Sequence, residues 1–117
     1  MKPRVLILED NFLLSENLAE IVRHNLDAES LQVSQVSEAM TKIPDGVALA
    51  LLDVEVLDGK SYPVARKLMQ NEIPFIFVSG NDPESIPSDL RDAPFISKPA
   101  SVRKLVELSK TLSSAFG

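Results

Sequence analysis

The sequence predicts an α/β fold, a parallel β-sheet with helices packed on both of its faces. Short apolar runs of strand length recur along the chain, and segments with apolar residues at helical spacing follow most of them. The run 47–52 is apolar throughout and ends at Asp53, which is typical of a central strand covered on both faces. Strand-to-helix units in succession predict right-handed crossovers around one sheet.

Length and composition limit the classes of protein to consider. The 117 residues fit one domain spanning 1–117, with 44% hydrophobic and 25% charged residues. The absence of cysteine excludes disulfides and Cys-based zinc or iron–sulfur sites. The net charge of -5 argues against sequence-independent binding to nucleic acid, and no apolar run is long enough for a membrane span or a signal peptide. We therefore expect a cytoplasmic protein that binds neither nucleic acid nor membrane.

The first half of the chain predicts three strands and two helices. The strand in which apolar and polar residues alternate is expected at an edge of the sheet, because only one of its faces is apolar. Leu14 and Leu18 are expected on the inward face of the first helix. Ser37 is the expected N-terminal cap of the second helix. The predicted elements are strand 4–8, helix 11–26, edge strand 31–35, helix 37–43 and strand 47–52.

The second half predicts two more strands and two helices, with an irregular segment between them. Ser61 can cap a helix whose inward face includes Val64 and Leu68, with Met69 as a further candidate. Three prolines within residues 80–94 make any fourth helix short or irregular. Ser101 is the expected cap of the last helix. The two predicted strands are 73–78 and 95–97.

Polar side chains come at the carboxyl ends of the predicted strands. Glu9 and Asp10, Asp53, Ser79 and Lys98 are therefore expected to meet at one edge of the parallel sheet. Clustered carboxylates favour a hard divalent cation, and Mg²⁺ suits an all-oxygen ligand set. Asp53 from the central strand is the natural nucleophile for phosphoryl transfer and would form an aspartyl phosphate. Lys98 and Ser79 would contact the phosphoryl oxygens.

These motifs resemble the response-regulator receiver domain of two-component signalling, over essentially the whole chain. The resemblance implies a flavodoxin-like (βα)5 fold, a doubly wound parallel sheet with strand order 2-1-3-4-5. Here the fourth helix is expected to be short or irregular, as in a group of small stand-alone alphaproteobacterial receivers. The motifs that carry the resemblance are Glu9-Asp10, Leu51-Leu52-Asp53 with Gly59 downstream, Phe77-Val78-Ser79-Gly80, and Lys98-Pro99.

The resemblance also implies roles for individual residues. Asp53 would be the phosphoacceptor, and Ser79, Lys98 and Phe95 would stabilise the phosphoryl group or respond to it. Ser79 replaces the more frequent threonine, and Phe95 replaces the more frequent tyrosine at the aromatic switch position. The Lys98–Pro99 peptide bond would be cis. The implied Mg²⁺ site consists of Asp10, Asp53 and the Glu55 main-chain carbonyl, with Glu9 acting mainly through water.

The same resemblance implies the partners of the protein. The phosphoryl donor would be a phosphohistidine on a sensor histidine kinase or a histidine phosphotransfer protein. The protein would catalyse only its own phosphorylation and dephosphorylation, so it would not be an enzyme in the usual sense. Its signal would pass to an unknown downstream protein through a surface formed by residues 80–94 and the last helix, with Arg103 and Lys104 beside it. We expect a monomer or a weak dimer.

The acidic residues admit four other interpretations. The carboxylates could simply cap helices, although capping does not explain the arrival of Lys98 and Ser79 at the same edge. A pseudo-receiver would use the fold for binding without phosphorylation. A haloacid-dehalogenase-type enzyme would carry aspartate where Glu55 stands, two residues after the nucleophile. An FMN-binding flavodoxin would carry a phosphate-binding loop where Glu9-Asp10 stands.

Overall fold

A five-stranded parallel sheet forms the centre of the structure, a computed structural model that describes residues 2–116. The strands are β1 Arg4–Leu8, β2 Glu29–Val33, β3 Leu49–Leu52, β4 Glu55–Val56, β5 Gly59–Lys60, β6 Phe75–Ser79 and β7 Phe95–Ser97. The sheet order is β2-β1-β3-β6-β7, and β4 and β5 form a separate antiparallel hairpin. Counting the sheet strands alone gives 2-1-3-4-5, so the predicted flavodoxin-like fold is confirmed.

Four α-helices cover the two faces of the sheet within the described residues. They are α1 Phe12–Asn25, α2 Val36–Lys42, α3 Tyr62–Gln70 and α4 Val102–Leu112. Apolar side chains of α1 and α4 pack in one core cluster, and those of α2 and α3 pack in another. Leu49 and Leu51 of β3 belong to the first cluster, whereas Ala50 and Leu52 belong to the second. The central strand is therefore buried on both faces, as its unbroken apolar run predicts.

The parallel register brings the carboxyl ends of the strands to one edge. Leu8 pairs with Leu52 in the β1–β3 ladder, and the Asp53 amide donates to the Leu8 carbonyl at 2.9 Å. On the other side of β3, the Lys98 amide donates to the Ser79 carbonyl at 3.0 Å. These backbone bonds place the residues that follow β1, β3 and β7 beside one another.

Residues 80–94 contain two short 3₁₀ turns in place of an α-helix. The prediction of an irregular fourth helix is therefore confirmed. Ile86 and Leu90 are buried, and the Arg91 guanidinium donates to the Ile86 carbonyl at 2.8 Å and to the Glu84 carbonyl at 3.2 Å. The segment is thus held by two apolar anchors and one arginine.

Several predicted boundaries and caps are wrong. The edge strand β2 starts two residues earlier than predicted, because Glu29 pairs with Arg4 and its amide donates to the Pro3 carbonyl. The central and fourth sheet strands are also displaced or shortened relative to 47–52 and 73–78. Ser37 does not cap α2. Its place is taken by Asp58, whose carboxylate accepts from the amides of Val36 and Ser37 at 2.6 and 3.1 Å.

The prediction of inward-facing side chains also fails at two positions. Leu14 is 37% exposed, because Ser15 occupies the inward position in the first turn of α1. Met69 is 51% exposed, whereas its neighbour Leu68 is fully buried. The Ser101 hydroxyl caps α4 as predicted, whereas Ser61 precedes α3 without making a capping hydrogen bond. Among residues 2–116, no helix has the length and apolar character that crossing a bilayer requires.

Candidate functional site

Three carboxylates meet at the carboxyl edge of the sheet. Glu9 and Asp10 follow β1, and Asp53 follows the neighbouring strand β3. One carboxylate oxygen from each of the three lies within 4.8 Å of the others. Glu9 is buried, Asp53 is half-buried and Asp10 is exposed, so the cluster opens to solvent on the Asp10 side. The structure thus brings together the three acids that the sequence places at strand ends.

Lys98 connects two of these carboxylates. Its Nζ atom donates to Glu9 Oε1 at 2.5 Å and to Asp53 Oδ2 at 2.9 Å. The Lys98 side chain is 22% exposed, and that of Asp53 is 11% exposed. The second oxygen of each acid accepts a main-chain amide, from Asn11 to Glu9 at 3.0 Å and from Val54 to Asp53 at 2.8 Å. Both carboxylates are therefore held in fixed orientations.

Burial and ion pairing have opposite effects on the pKa values of Glu9 and Lys98. Burial raises the pKa of Glu9, and the hydrogen bond from Lys98 only partly offsets that effect. For Lys98 the largest single effect is burial, which lowers the pKa, but the hydrogen bonds and charges of Glu9 and Asp53 together raise it. Lys98 therefore stays protonated at neutral pH. Its single positive charge does not compensate all three acids.

The donor set fits a hard divalent cation. Carboxylate oxygens are the ligands that Mg²⁺ prefers, and three of them converge here with an opening to solvent at Asp10. The uncompensated negative charge of the cluster also favours a cation. The site could therefore bind a metal ion.

Ser79 lies at the end of β6 and is fully buried. Its Oγ donates to Asn81 Oδ1 at 3.2 Å and accepts from the Asn81 amide at 3.1 Å. The hydroxyl is therefore engaged with the start of the segment 80–94. The hydrogen bonds between Ser79 and Asn81 are not among the predictions from the sequence. The spacing of two residues is the only sequence signal that indicates them.

The remaining predicted residues are Phe95, Pro99 and Glu55. Phe95, the first residue of β7, is half-buried, and its ring centroid lies 6.5 Å from that of the core residue Phe77. The Lys98–Pro99 peptide bond is cis. Glu55 lies in β4, and its exposed carboxylate pairs with Lys60 across the hairpin. The Glu55 carboxylate is thus engaged with Lys60. The metal ligand that the sequence predicts at this position is the main-chain carbonyl of Glu55, not this carboxylate.

Comparison with solved structures identifies the family. The solution structure of SdrG from Sphingomonas melonis Fr1 is 32% identical in sequence to this chain, with a TM-score of 0.81. The similarity covers 95% of this chain and 96% of SdrG. A response regulator receiver domain protein (CheY-like) from Methanospirillum hungatei JF-1 shows the same fold at 23% identity, over 98% of this chain and 97% of its own, with a TM-score of 0.82. This chain belongs to the response-regulator receiver-domain family.

The receiver domain is also similar to a structure of an activated relative. The BeF3-activated conformation of SdrG from Pseudomonas melonis Fr1 is 33% identical to it, with a TM-score of 0.76 over 93% of this chain and 94% of SdrG. No protein-family model and no curated protein matches the sequence. The family assignment therefore rests on the solved structures.

Proposed function

We propose that this receiver domain accepts a phosphoryl group on Asp53 from a phosphohistidine of a sensor histidine kinase or a histidine phosphotransfer protein. One observation carries the proposal. The Asp53 carboxylate ends the central strand beside both a lysine ammonium and two further acids, within reach of solvent. A carboxylate in this setting can act as a nucleophile, because neighbouring groups can neutralise the charge of the incoming phosphoryl oxygens.

The reaction needs the Asp53 carboxylate as the attacking group. An Asp53 oxygen forms a bond to phosphorus while the phosphorus–nitrogen bond of the donor breaks, and the bonding electron pair returns to the imidazole. The Val54 amide and Lys98 hold the two Asp53 oxygens before transfer. Lys98 can then exchange one of its hydrogen bonds for a phosphoryl oxygen, and the Ser79 hydroxyl can contact another once it leaves Asn81.

Mg²⁺ fits the same edge of the sheet. Asp10, Asp53 and the main-chain carbonyl of Glu55 would hold it, with Glu9 acting mainly through water. The bound ion would supply positive charge to the phosphoryl oxygens. Within this arrangement Lys98 has the further task of holding the buried Glu9 carboxylate in place.

The phosphorylated state would be recognised by another protein. Residues 80–94 begin next to Ser79, whose hydroxyl contacts Asn81, and are followed by Phe95, which pairs with Phe77 of β6. We infer that phosphorylation changes the surface formed by this segment and α4, near Arg103 and Lys104. The activation of SdrG by beryllofluoride makes the same compound a suitable mimic for this receiver domain.

Mass spectrometry after incubation with acetyl phosphate and Mg²⁺ tests the proposal. The wild type should gain the mass of one phosphoryl group, and Asp53→Asn should not. Asp45→Asn is the matched control, because it makes the same change on an exposed carboxylate at the opposite edge of the sheet. Undiminished labelling of Asp53→Asn would show that the phosphoacceptor is another residue.

A further inference from the structure

An open apolar groove lies at the edge of the sheet opposite Asp53. It has a volume of about 490 Å³ and lies between the end of α3, the segment 80–94 and the end of α4. Its walls reach the amino ends of β6 and β7, whereas Asp53 and Lys98 follow the carboxyl ends of the strands. Its apolar lining includes Met69, Ile73, Phe75, Leu90, Ala93 and Leu112.

The apolar lining is partly open to solvent. Met69 on its wall is among the most exposed large apolar side chains of the described residues, whereas Leu90 beside it is buried. A volume of this size can hold several large side chains and falls within the range of ligand sites. The other apolar lining residues are buried or half-buried, so the exposed apolar surface of the groove is concentrated at Met69.

The charged residues that line the groove are all acidic. Glu72, Asp89 and Asp92 contribute to its lining, and no lysine or arginine does. Asp89 is compensated by Arg66, which donates to its two carboxylate oxygens at 2.8 and 3.1 Å. Glu72 and Asp92 are exposed and form no salt bridge within residues 2–116. The rim therefore carries two uncompensated negative charges.

Glu72 occupies a backbone conformation that favours glycine. Its φ is 56°, at the position that ends α3, where the Ile73 amide donates to the Leu68 carbonyl at 2.9 Å. A glutamate is disfavoured there relative to glycine or asparagine, because its Cβ crowds the left-handed backbone. The local preference for glycine is thus overridden at a residue on the rim of the groove.

We propose that this groove binds a polypeptide segment of a partner protein in which apolar side chains are flanked by lysine or arginine. The apolar side chains would fill the space between Met69, Leu90 and Leu112, and the basic side chains would pair with Glu72 and Asp92. This groove shares the segment 80–94 and α4 with the surface near Arg103 and Lys104, but its lining is acidic where that surface is basic. None of the residues around Asp53 lines the groove, so peptide binding by the unphosphorylated domain tests this proposal separately from the proposed phosphoryl transfer.

A short synthetic peptide in which leucine and phenylalanine alternate with lysine and arginine is the probe. We expect its fluorescence anisotropy to rise with added receiver domain in the presence of Mg²⁺, and the affinity to fall with salt. Amide signals of Ile73, Leu90 and Leu112 should shift in heteronuclear NMR spectra. A peptide with glutamate in place of its basic residues, and one with serine in place of its apolar residues, should both fail to bind.

Charge reversal at the rim tests the role of the acids. The double variant E72K/D92K should weaken peptide binding by about tenfold or more. The matched control E20K/D45K makes the same change in net charge on exposed acids that lie outside the groove and, like Glu72 and Asp92, form no salt bridge within residues 2–116. The control should bind as tightly as the wild type.

A second comparison separates binding from stability. Glu72→Gly should raise the melting temperature by removing the backbone conflict, and it should weaken peptide binding. Asp27 shares the positive φ of Glu72, so Asp27→Gly should also raise the melting temperature, but it should leave binding unchanged.

Unchanged binding by Glu72→Gly and by E72K/D92K would overturn the proposal. So would amide shifts confined to residues around Asp53, or sedimentation showing that the groove joins two copies of this chain.

Discussion

The Ser79 hydroxyl donates to the side-chain oxygen of Asn81 at 3.2 Å and accepts from the Asn81 amide at 3.1 Å. The hydroxyl that the proposed mechanism directs to the phosphoryl group is therefore engaged with the first residues of the segment 80–94. Contact with a phosphoryl group on Asp53 would require the loss of at least one of these two hydrogen bonds. Phosphorylation of Asp53 would in this way change the hydrogen bonding at the start of residues 80–94.

The first prediction concerns amide hydrogen exchange in residues 80–94. The segment has only short 3₁₀ turns and two buried apolar anchors, so its local unfolding should require less free energy than that of the core strands. Exchange there should be fast in the free protein and should slow on addition of Mg²⁺ with beryllofluoride. The core strands should change little.

Ser79→Ala is the informative variant for this prediction. It removes the hydroxyl that contacts Asn81 and that would contact the phosphoryl mimic on Asp53, so beryllofluoride should no longer slow exchange in residues 80–94. Slow exchange in the free wild type, or an equal response of the wild type and Ser79→Ala to the mimic, would contradict the role of this segment as the switch.

The second prediction concerns Mg²⁺ and the three clustered acids. Because a cation relieves the repulsion between Glu9, Asp10 and Asp53, added Mg²⁺ should raise the melting temperature of the protein. Asp10→Ala should remove most of that rise, since Asp10 is the exposed member of the cluster. Asp45→Ala, outside the cluster, should respond as the wild type does. Equal responses of all three proteins would indicate that Mg²⁺ only screens surface charge.

The third prediction concerns the pH dependence of stability in Lys98→Met. Burial raises the pKa of Glu9, and Lys98 counteracts this effect by donating to its carboxylate. An acid with a raised pKa in the folded state opposes folding above that pKa, and the penalty disappears as the pH falls through it. Removing Lys98 should raise the Glu9 pKa further. The variant should therefore lose about 2 kcal/mol of unfolding free energy at pH 7, the usual worth of a hydrogen bond to a charged group, and less at lower pH.

Denaturant unfolding of the wild type and Lys98→Met at several pH values measures this difference. Lys60→Met is the matched control, because it removes the same charge from an exposed pair with Glu55. It should have little effect at any of these pH values. A loss of stability in Lys98→Met that does not change with pH would show that Glu9 does not titrate as proposed.

The fourth prediction compares Asp58 and Ser37 as N-terminal caps of α2. Asp58→Ala should lower the melting temperature, because its carboxylate accepts from the Val36 and Ser37 amides. Ser37→Ala should lower it less, since the Ser37 side chain does not cap the helix. Thermal unfolding of both variants at neutral pH decides between the sequence-based and the structural assignment.

The Asp58 cap should also be sensitive to acid. The hydrogen bond from the Val36 amide holds the pKa of Asp58 below its usual value of 3.8. Its contribution to stability should be complete above pH 3.8 and should be lost as the pH falls through the lower pKa of the folded state. The difference in stability between the wild type and Asp58→Ala should therefore shrink in strong acid. A constant difference across this range would indicate that the aspartate acts through packing.

The sequence alone determines the order of the elements and the position of the acidic site. The apolar run that ends at Asp53 specifies a strand buried on both faces, and strands that run parallel bring Glu9 and Asp53 to the same edge. Prolines within residues 80–94 likewise determine that no regular helix forms there. These features follow from local patterns, because backbone preferences and burial act on neighbouring residues.

Tertiary structure decides the features that depend on residues far apart in the chain. Asp58 caps α2 across 22 positions of sequence, and Lys98 reaches Asp53 across 45. The exposure of Leu14 and Met69 depends in the same way on which neighbours occupy the inward positions. Apolar spacing marks a helical face but does not identify its partner, and a polar side chain bonds to whichever group the fold places within reach. Such contacts become defined only when the chain is packed.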